Sequence, residues 1–305
     1  MEVSSILFVA VPAAVAGAAS FGLASVVQQR ATKRVPTTGM LDPRLLLRLA
    51  RRPVWLLSIA TVLAGLALQV TALAYGPIVL VQPLLVTGVL FGAVFSALLA
   101  HRRVDRTIVL GTLACVTGLA AFLLLARPVG GSGAIAAEAE VLPLAVAFGL
   151  LVLVCLLAAA RVGGPPRVLA LATATGVLYG VTAGMMKVVT AQIRTGGIAE
   201  PFGHPVLYVV CVVGPVGFLL SQNTFQQGAL VAPALAVITV VDPLVGIAIG
   251  VSWLGEQVAS TPPALAGEAL AAAVTIAGIA VLAHRATQLR HKLEQRTDAP
   301  PATWG

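Results

Sequence analysis

Residues 53–83 read PVWLLSIATVLAGLALQVTALAYGPIVLVQP: a proline, an uncharged apolar run to Tyr75, the turn Gly76-Pro77, and a second apolar run bearing Gln82-Pro83. The first run is long enough to cross the roughly 30 Å hydrocarbon core of a bilayer. Comparable runs fall at 5–27, 53–75, 78–100, 107–126, 141–160, 168–192, 206–225, 230–253 and 264–284, nine in all. The 305 residues are 59% apolar, 10% charged and 5% aromatic, whereas soluble domains run at about 45–50% apolar and about 25% charged. A water-soluble globule is therefore excluded. Runs of about 20 residues, rather than about 10 with alternation, specify α-helices and not a β-barrel.

The net charge of +8 does not mark a nucleic-acid groove, because the basic residues sit in short loops where they set topology. Arg30, Lys33, Arg34, Arg44, Arg48, Arg51 and Arg52 follow the first run, and Arg102, Arg103 and Arg106 follow the third. Arg161 and Arg167 follow the fifth, and Arg285, Arg290, Lys292 and Arg296 follow the ninth. With nine spans, sixteen of the nineteen basic residues lie on one side. Since short basic loops stay in the cytoplasm, the N-terminus is expected outside and the C-terminus inside a cell membrane. Asp42-Pro43 followed by Arg44 to Arg52 predicts a short interfacial helix. Glu2 and the absence of a basic leader predict that the first run is retained rather than cleaved. Cys115, Cys155 and Cys211 lie within apolar runs and read as small hydrophobes.

The second half echoes the first. Pro53-Val54-Trp55-Leu56 opens a run that closes at Tyr75-Gly76, and Pro205-Val206-Leu207-Tyr208 opens one that closes at Gln227-Gly228. Val79 to Pro83 aligns with Ala229 to Pro233, and Phe21-Gly22 with Tyr179-Gly180. Spans 1–4 thus correspond to spans 6–9. Five spans separate the copies, an odd number, so they enter the membrane from opposite sides. The fold expected is an all-α polytopic membrane protein with two inverted four-helix repeats and a linking helix. Its parts are a first repeat over 1–126 with a cytoplasmic loop at 28–52, an external linker and central helix over 127–166, a second repeat over 167–284, and a polar tail over 285–305.

The four-helix halves, the Gly76-Pro77 turn before Val79 to Pro83, and Leu254-Gly255-Glu256 closing the eighth span resemble the EamA-like drug/metabolite transporter superfamily. The segment from Pro53 to Pro83 and the nine-span plan with its N-terminus outside are most similar to the NIPA-like magnesium transporter branch. The first half departs from the pattern, reading His101-Arg102-Arg103 where a Gly-Glu would recur. The resemblance implies a transporter fold whose substrate is a metabolite or, in that branch, Mg²⁺.

A charge near the bilayer centre costs several kcal/mol, so it is a functional candidate by default. Asp242 lies about 18 Å along its span. Pro243 removes the amide donor that the Thr239 carbonyl would otherwise receive. Thr239, Asp242, Gly246 and Gly250 share a face, which reads either as a proton- or cation-binding site or as a protonated structural carboxyl. If a divalent cation is carried, Asp242 is its expected ligand. Gly176, Gly180 and Gly184 form a stripe that ends at Lys187, turning the lysine toward the bundle; the competing reading is a lysine that snorkels to the outer interface. Glu268, at similar depth, is its expected ion-pair partner. Gln69, Gln82, Gln222 and Asn223 read as binding groups or as ties between helices. The pairs Gly88/Gly92 and Gly246/Gly250 read as packing motifs. His101, His204, His284 and His291 lie at span ends or in the tail, and no metal-ligand cluster, catalytic constellation or nucleotide-binding loop is legible.

The expected function is a secondary transporter that moves a small solute by alternating access, with no enzymatic activity and no cofactor. Its expected partners are a small molecule or ion and the membrane lipids, with a homodimer admitted and nucleic acid excluded. The alternatives are a NIPA-like Mg²⁺ transporter specifically, a lipid-modifying intramembrane enzyme, and a non-transporting accessory or scaffold subunit.

Overall fold

A computed structural model describes residues 6–32, 44–99, 106–126, 138–226, 231–257 and 261–297. Among them the chain is all-helical, without strands. A π-helical turn, Ile6–Ala10, leads into α1 (Val11–Thr32), followed by α2 (Arg44–Ala50), α3 (Pro53–Tyr75), α4 (Ile78–Val86), α5 (Gly88–Leu99) and α6 (Arg106–Ala126). Then come α7 (Glu138–Arg161), α8 (Gly164–Gly196), a 3-10 turn at Glu200–Gly203, α9 (Pro205–Phe225), α10 (Val231–Ser252) and α11 (Pro262–Thr297). Prolines stand in the first turns of α3, α8 and α9, where the missing amide costs no helical hydrogen bond.

The described residues of the nine apolar runs fall on helix but for Thr87 and Trp253, with one difference from expectation. The third run divides at Thr87 into α4 and α5. The Thr87 amide and hydroxyl both turn back to the Leu84 carbonyl, at 3.1 and 2.7 Å, a tightening four residues beyond the amide-less Pro83. The polar tail begins as a continuation of α11, which runs to Thr297. The short helix after the first run is present as α2. Its Asp42-Pro43 cap, the linker at 128–137, His101-Arg102-Arg103 and the Gln227-Gly228 turn lie outside the described residues. Among the described residues, five helices are long and apolar enough to cross a membrane: Phe8–Gln28, Pro53–Tyr75, Val141–Arg161, Pro166–Gly196 and Pro205–Phe225.

Small residues set the packing. α1 lies against α3 and α5: the Phe21 ring covers Gly65, and Gly22 meets the Gly88–Gly92 backbone. α8 lies against α9 and α10: the Tyr179 ring covers Gly217, and Gly180 meets Asp242 and Val245. α6 lies along α11, with Gly118 against Ala271 and Thr275. A shared core of Ala14, Leu73, Ile78, Val81, Val177, Met186, Val245 and Ile249 joins α1, α3, α4, α8 and α10. α7 touches α8 through Cys155 and Ala159, while Leu142, Leu150, Leu153 and Val154 stay exposed. An apolar exterior of this kind is compatible with a bilayer and poorly suited to water.

Candidate functional site

The glycine stripe of α8 faces α10. A Cβ built on Gly176 would lie 2.7 Å from Val241 Cβ, one on Gly180 2.6 Å from the Asp242 carbonyl oxygen, and one on Gly184 2.6 Å from Ile249 Cγ2. Side chains do not tolerate such distances, so only glycine lets the two backbones meet here. Asp242 thus sits midway along α10 and within the stretch that packs on the glycines of α8, and α10 runs through Pro243 without interruption. Asp242 Oδ1 is buried and accepts no hydrogen bond. The Tyr179 phenol interacts electrostatically with Asp242 and pairs with the Ser221 hydroxyl, whose own proton goes to the Phe218 carbonyl. One helical turn beyond Asp242, Gly246 lies under the side chain of Gln82 from α4. Gln82 is 1% exposed, and its Nε2 has no partner. Thr239 and Gln69 are half-buried.

Lys187 does face the bundle, at 7% exposure, but not to meet Glu268. Its Nζ donates to the carbonyl of Leu73 at 2.6 Å and to that of Gly76. These are among the last carbonyls of α3, which lack partners within the helix; their position at the negative end of the helix dipole suits a cation. Arg194, seven residues further along α8, donates to the Ala74 carbonyl and lies 5.3 Å over the Tyr75 ring. The Glu268 carboxyl instead has a buried Oε1 without a partner. The expected Lys187–Glu268 pair is therefore replaced. Spacing along single helices placed both residues at one depth, but could not show that Lys187 is taken up by the end of α3.

The acid at this end is Glu256. α10 ends at Ser252, and Gly255 adopts φ +63°, a left-handed conformation that favours glycine. The turn is closed by the Glu256 amide donating to the Gly250 carbonyl at 2.9 Å, a helix-terminating arrangement. It delivers the Glu256 side chain to the start of α4, where Ile78 N donates to Oε1 at 2.6 Å and Val79 N to Oε2 at 2.8 Å. Burial pushes this carboxyl up, against the opposing pull of the two amides and of the Lys187 ammonium. In the sequence Glu256 appeared only within Leu254-Gly255-Glu256; the glycine beside the acid at the end of an apolar run and the Gly76-Pro77 turn were the signals available.

A second polar tie lies at the opposite end of α3. Trp55 Nε1 donates to Gln222 Oε1 at 3.3 Å, and Gln222 Nε2 donates to Gln28 Oε1 at 2.9 Å. Trp55 and Leu73 are separated along the helix by about 27 Å, close to the hydrocarbon thickness of a bilayer. The pairs Gly88/Gly92 and Gly246/Gly250 both serve packing, against α1 and α4 respectively.

No family model matches the chain, and no solved structure matches it. An uncharacterised protein of Corynebacterium glutamicum is 27% identical over 244 residues, covering 80% of this chain and 84% of that protein. An alignment of that extent cannot be confined to one half of the chain, so the likeness reaches into both.

Proposed function

We propose that this chain is an integral membrane secondary transporter of the drug/metabolite type, carrying a small solute by alternating access around Asp242. The observation that carries the reading is the buried, unpartnered Asp242 Oδ1, held mid-helix where three glycines bring α8 against α10. A polar group left unsatisfied in such a place costs free energy, and a proton, cation or solute donor would satisfy it. The inverted repeat is supported by like pairings: α1 on α3 and α5, α8 on α9 and α10. The nine-span topology in a cell membrane, with the N-terminus outside, rests on the distribution of Lys and Arg and makes the Lys187–Glu256 end the outer one.

The solute is a metabolite or a divalent cation. Among the described residues no group of three or more His, Cys, Asp or Glu is placed to hold a metal ion. A transported Mg²⁺ would therefore keep much of its hydration shell and meet Asp242 as a single carboxylate, in line with its reluctance to dehydrate.

The test is flux into proteoliposomes, using Mg²⁺ and a panel of organic solutes with and without a pH gradient, for the wild type and Asp242→Asn. The expected result is solute movement by the wild type and a loss of about tenfold or more in the variant, as for an intramembrane carboxylate at a transport site. Flux that is unchanged in a folded variant removes Asp242 from the site. A folded wild type that moves nothing favours the accessory-subunit reading.

A further inference from the structure

We propose that Lys187 and Glu256 are the two arms of a latch that closes one end of the bundle by gripping the Gly76-Pro77 turn. Both arms belong to the second half of the chain, and both grip backbone in the first half. Lys187 holds the carbonyls of Leu73 and Gly76 at the end of α3. Glu256 holds the amides of Ile78 and Val79 at the start of α4. Cation on the helix C-terminus and anion on the helix N-terminus is the arrangement each dipole favours. The ammonium and the carboxylate also attract one another across the turn, so loosening either arm weakens the other.

The grip holds more than a loop. Beneath it Leu73, Ile78 and Val81, all 0% exposed, close the shared core with Ile249 and Met186. Gly250, two residues before the end of α10, packs on Ile78 and Val79, so moving the turn uncovers the α4–α10 contact and the route toward Gln82 and Asp242. At the far end the two halves are joined only by neutral groups, Gln28, Gln222 and Trp55, among the bonds described. The charged end is thus the one closed by named side chains: Lys187 and Glu256 on the turn itself, with the exposed Arg194 on the neighbouring Ala74 carbonyl. Its meaning as a gate rests on the transporter reading; its existence as a latch does not.

The experiment uses the full chain in lipid nanodiscs, with Cys115, Cys155 and Cys211 replaced by alanine. Val81→Cys reports on the latched end and Ser58→Cys, whose parent side chain is 1% exposed near Trp55, on the other. Each is labelled with a water-soluble maleimide. Glu256→Gln and Lys187→Met are each expected to raise the Val81→Cys labelling rate about tenfold while leaving Ser58→Cys unchanged or slower, since local opening is governed by the contacts that hold it shut. The double variant is expected to fall short of the product of the two, because the arms share one turn. Labelling of Val81→Cys that stays at the wild-type rate in both variants overturns the latch, as does an equal rise at both reporters. Faster labelling confined to Val81→Cys, in a protein that moves no solute, sustains the latch and removes the transporter reading.

Discussion

The two halves of the molecule share a packing frame and differ in where they place polarity. Gly65 and Gly217 each lie twelve residues after the proline that opens the helix, and each is covered by an aromatic ring, Phe21 in one half and Tyr179 in the other. Gly92 and Asp242 each lie nine residues after Pro83 and Pro233, and both face the glycine that follows that ring, Gly22 or Gly180. At matched positions the first half carries Phe and Gly where the second carries Tyr and Asp. At the latched end the second half supplies Lys187, Arg194 and Glu256, and the first half supplies only backbone. Close helix packing tolerates little variation on either side, whereas the charged groups stand on one side only, with Gln82 the polar neighbour from the other. A chain built on this frame can keep one half apolar and give chemistry to the other.

The sharpest way to break this comparison is to fill the matched glycines. A Cβ on Gly180 would lie 2.6 Å from both the Asp242 carbonyl oxygen and Val245 Cβ, and one on Gly22 2.8 Å from the Gly92 amide nitrogen. Gly180→Val and Gly22→Val are each expected to destabilise by about 3 kcal/mol or more, the upper range for overpacking, read as thermal unfolding in detergent. A tolerant Gly22→Val beside an intolerant Gly180→Val would show that the two frames are not equivalent.

The next effect compares two buried acids. Glu256→Ala strips two amides of a charged acceptor and is expected to cost about 2–4 kcal/mol by the same measurement. Glu268→Gln replaces an acid whose Oε1 has no partner by a neutral amide and is expected to be neutral or stabilising by up to about 1 kcal/mol, since a charge costs more to bury than a neutral polar group. Equal losses in the two variants would contradict the assignment of Glu256 as the acid that secures the turn.

The smallest effect sharpens the comparison at the ring. Tyr179→Phe gives α8 the residue of α1 and keeps the cover over Gly217, so stability is expected to change by about 1 kcal/mol or less, the worth of one neutral hydrogen bond. If the phenol serves Asp242, flux changes in this variant while the unfolding temperature does not. A variant that unfolds early would place Tyr179 among the structural ties instead.

Much of this was legible without the fold. Long uncharged runs give apolar helices because a backbone in hydrocarbon must satisfy its own hydrogen bonds, and the described residues of the nine runs are helical but for Thr87 and Trp253. The four-residue spacing of Gly176, Gly180 and Gly184 announced a close helix contact, and Asp242 was visible as a charge in the middle of an apolar run. The division at Thr87 was not legible: it depends on how one hydroxyl and one amide turn back to Leu84.

The sequence by itself therefore determined the helices, the small-residue faces and the buried carboxylate, since these follow from periodicity and from the cost of charge in apolar surroundings. Only the tertiary structure decided partners. Lys187 and Gly76 are 111 residues apart, and Glu256 and Ile78 are 178 apart. What these side chains meet is backbone at the ends of α3 and α4, and the receiving carbonyls and amides are chemically the same at any residue able to present them. Spacing along one helix reports depth and face. Which helix end fills the space opposite is set by the packing of the whole bundle.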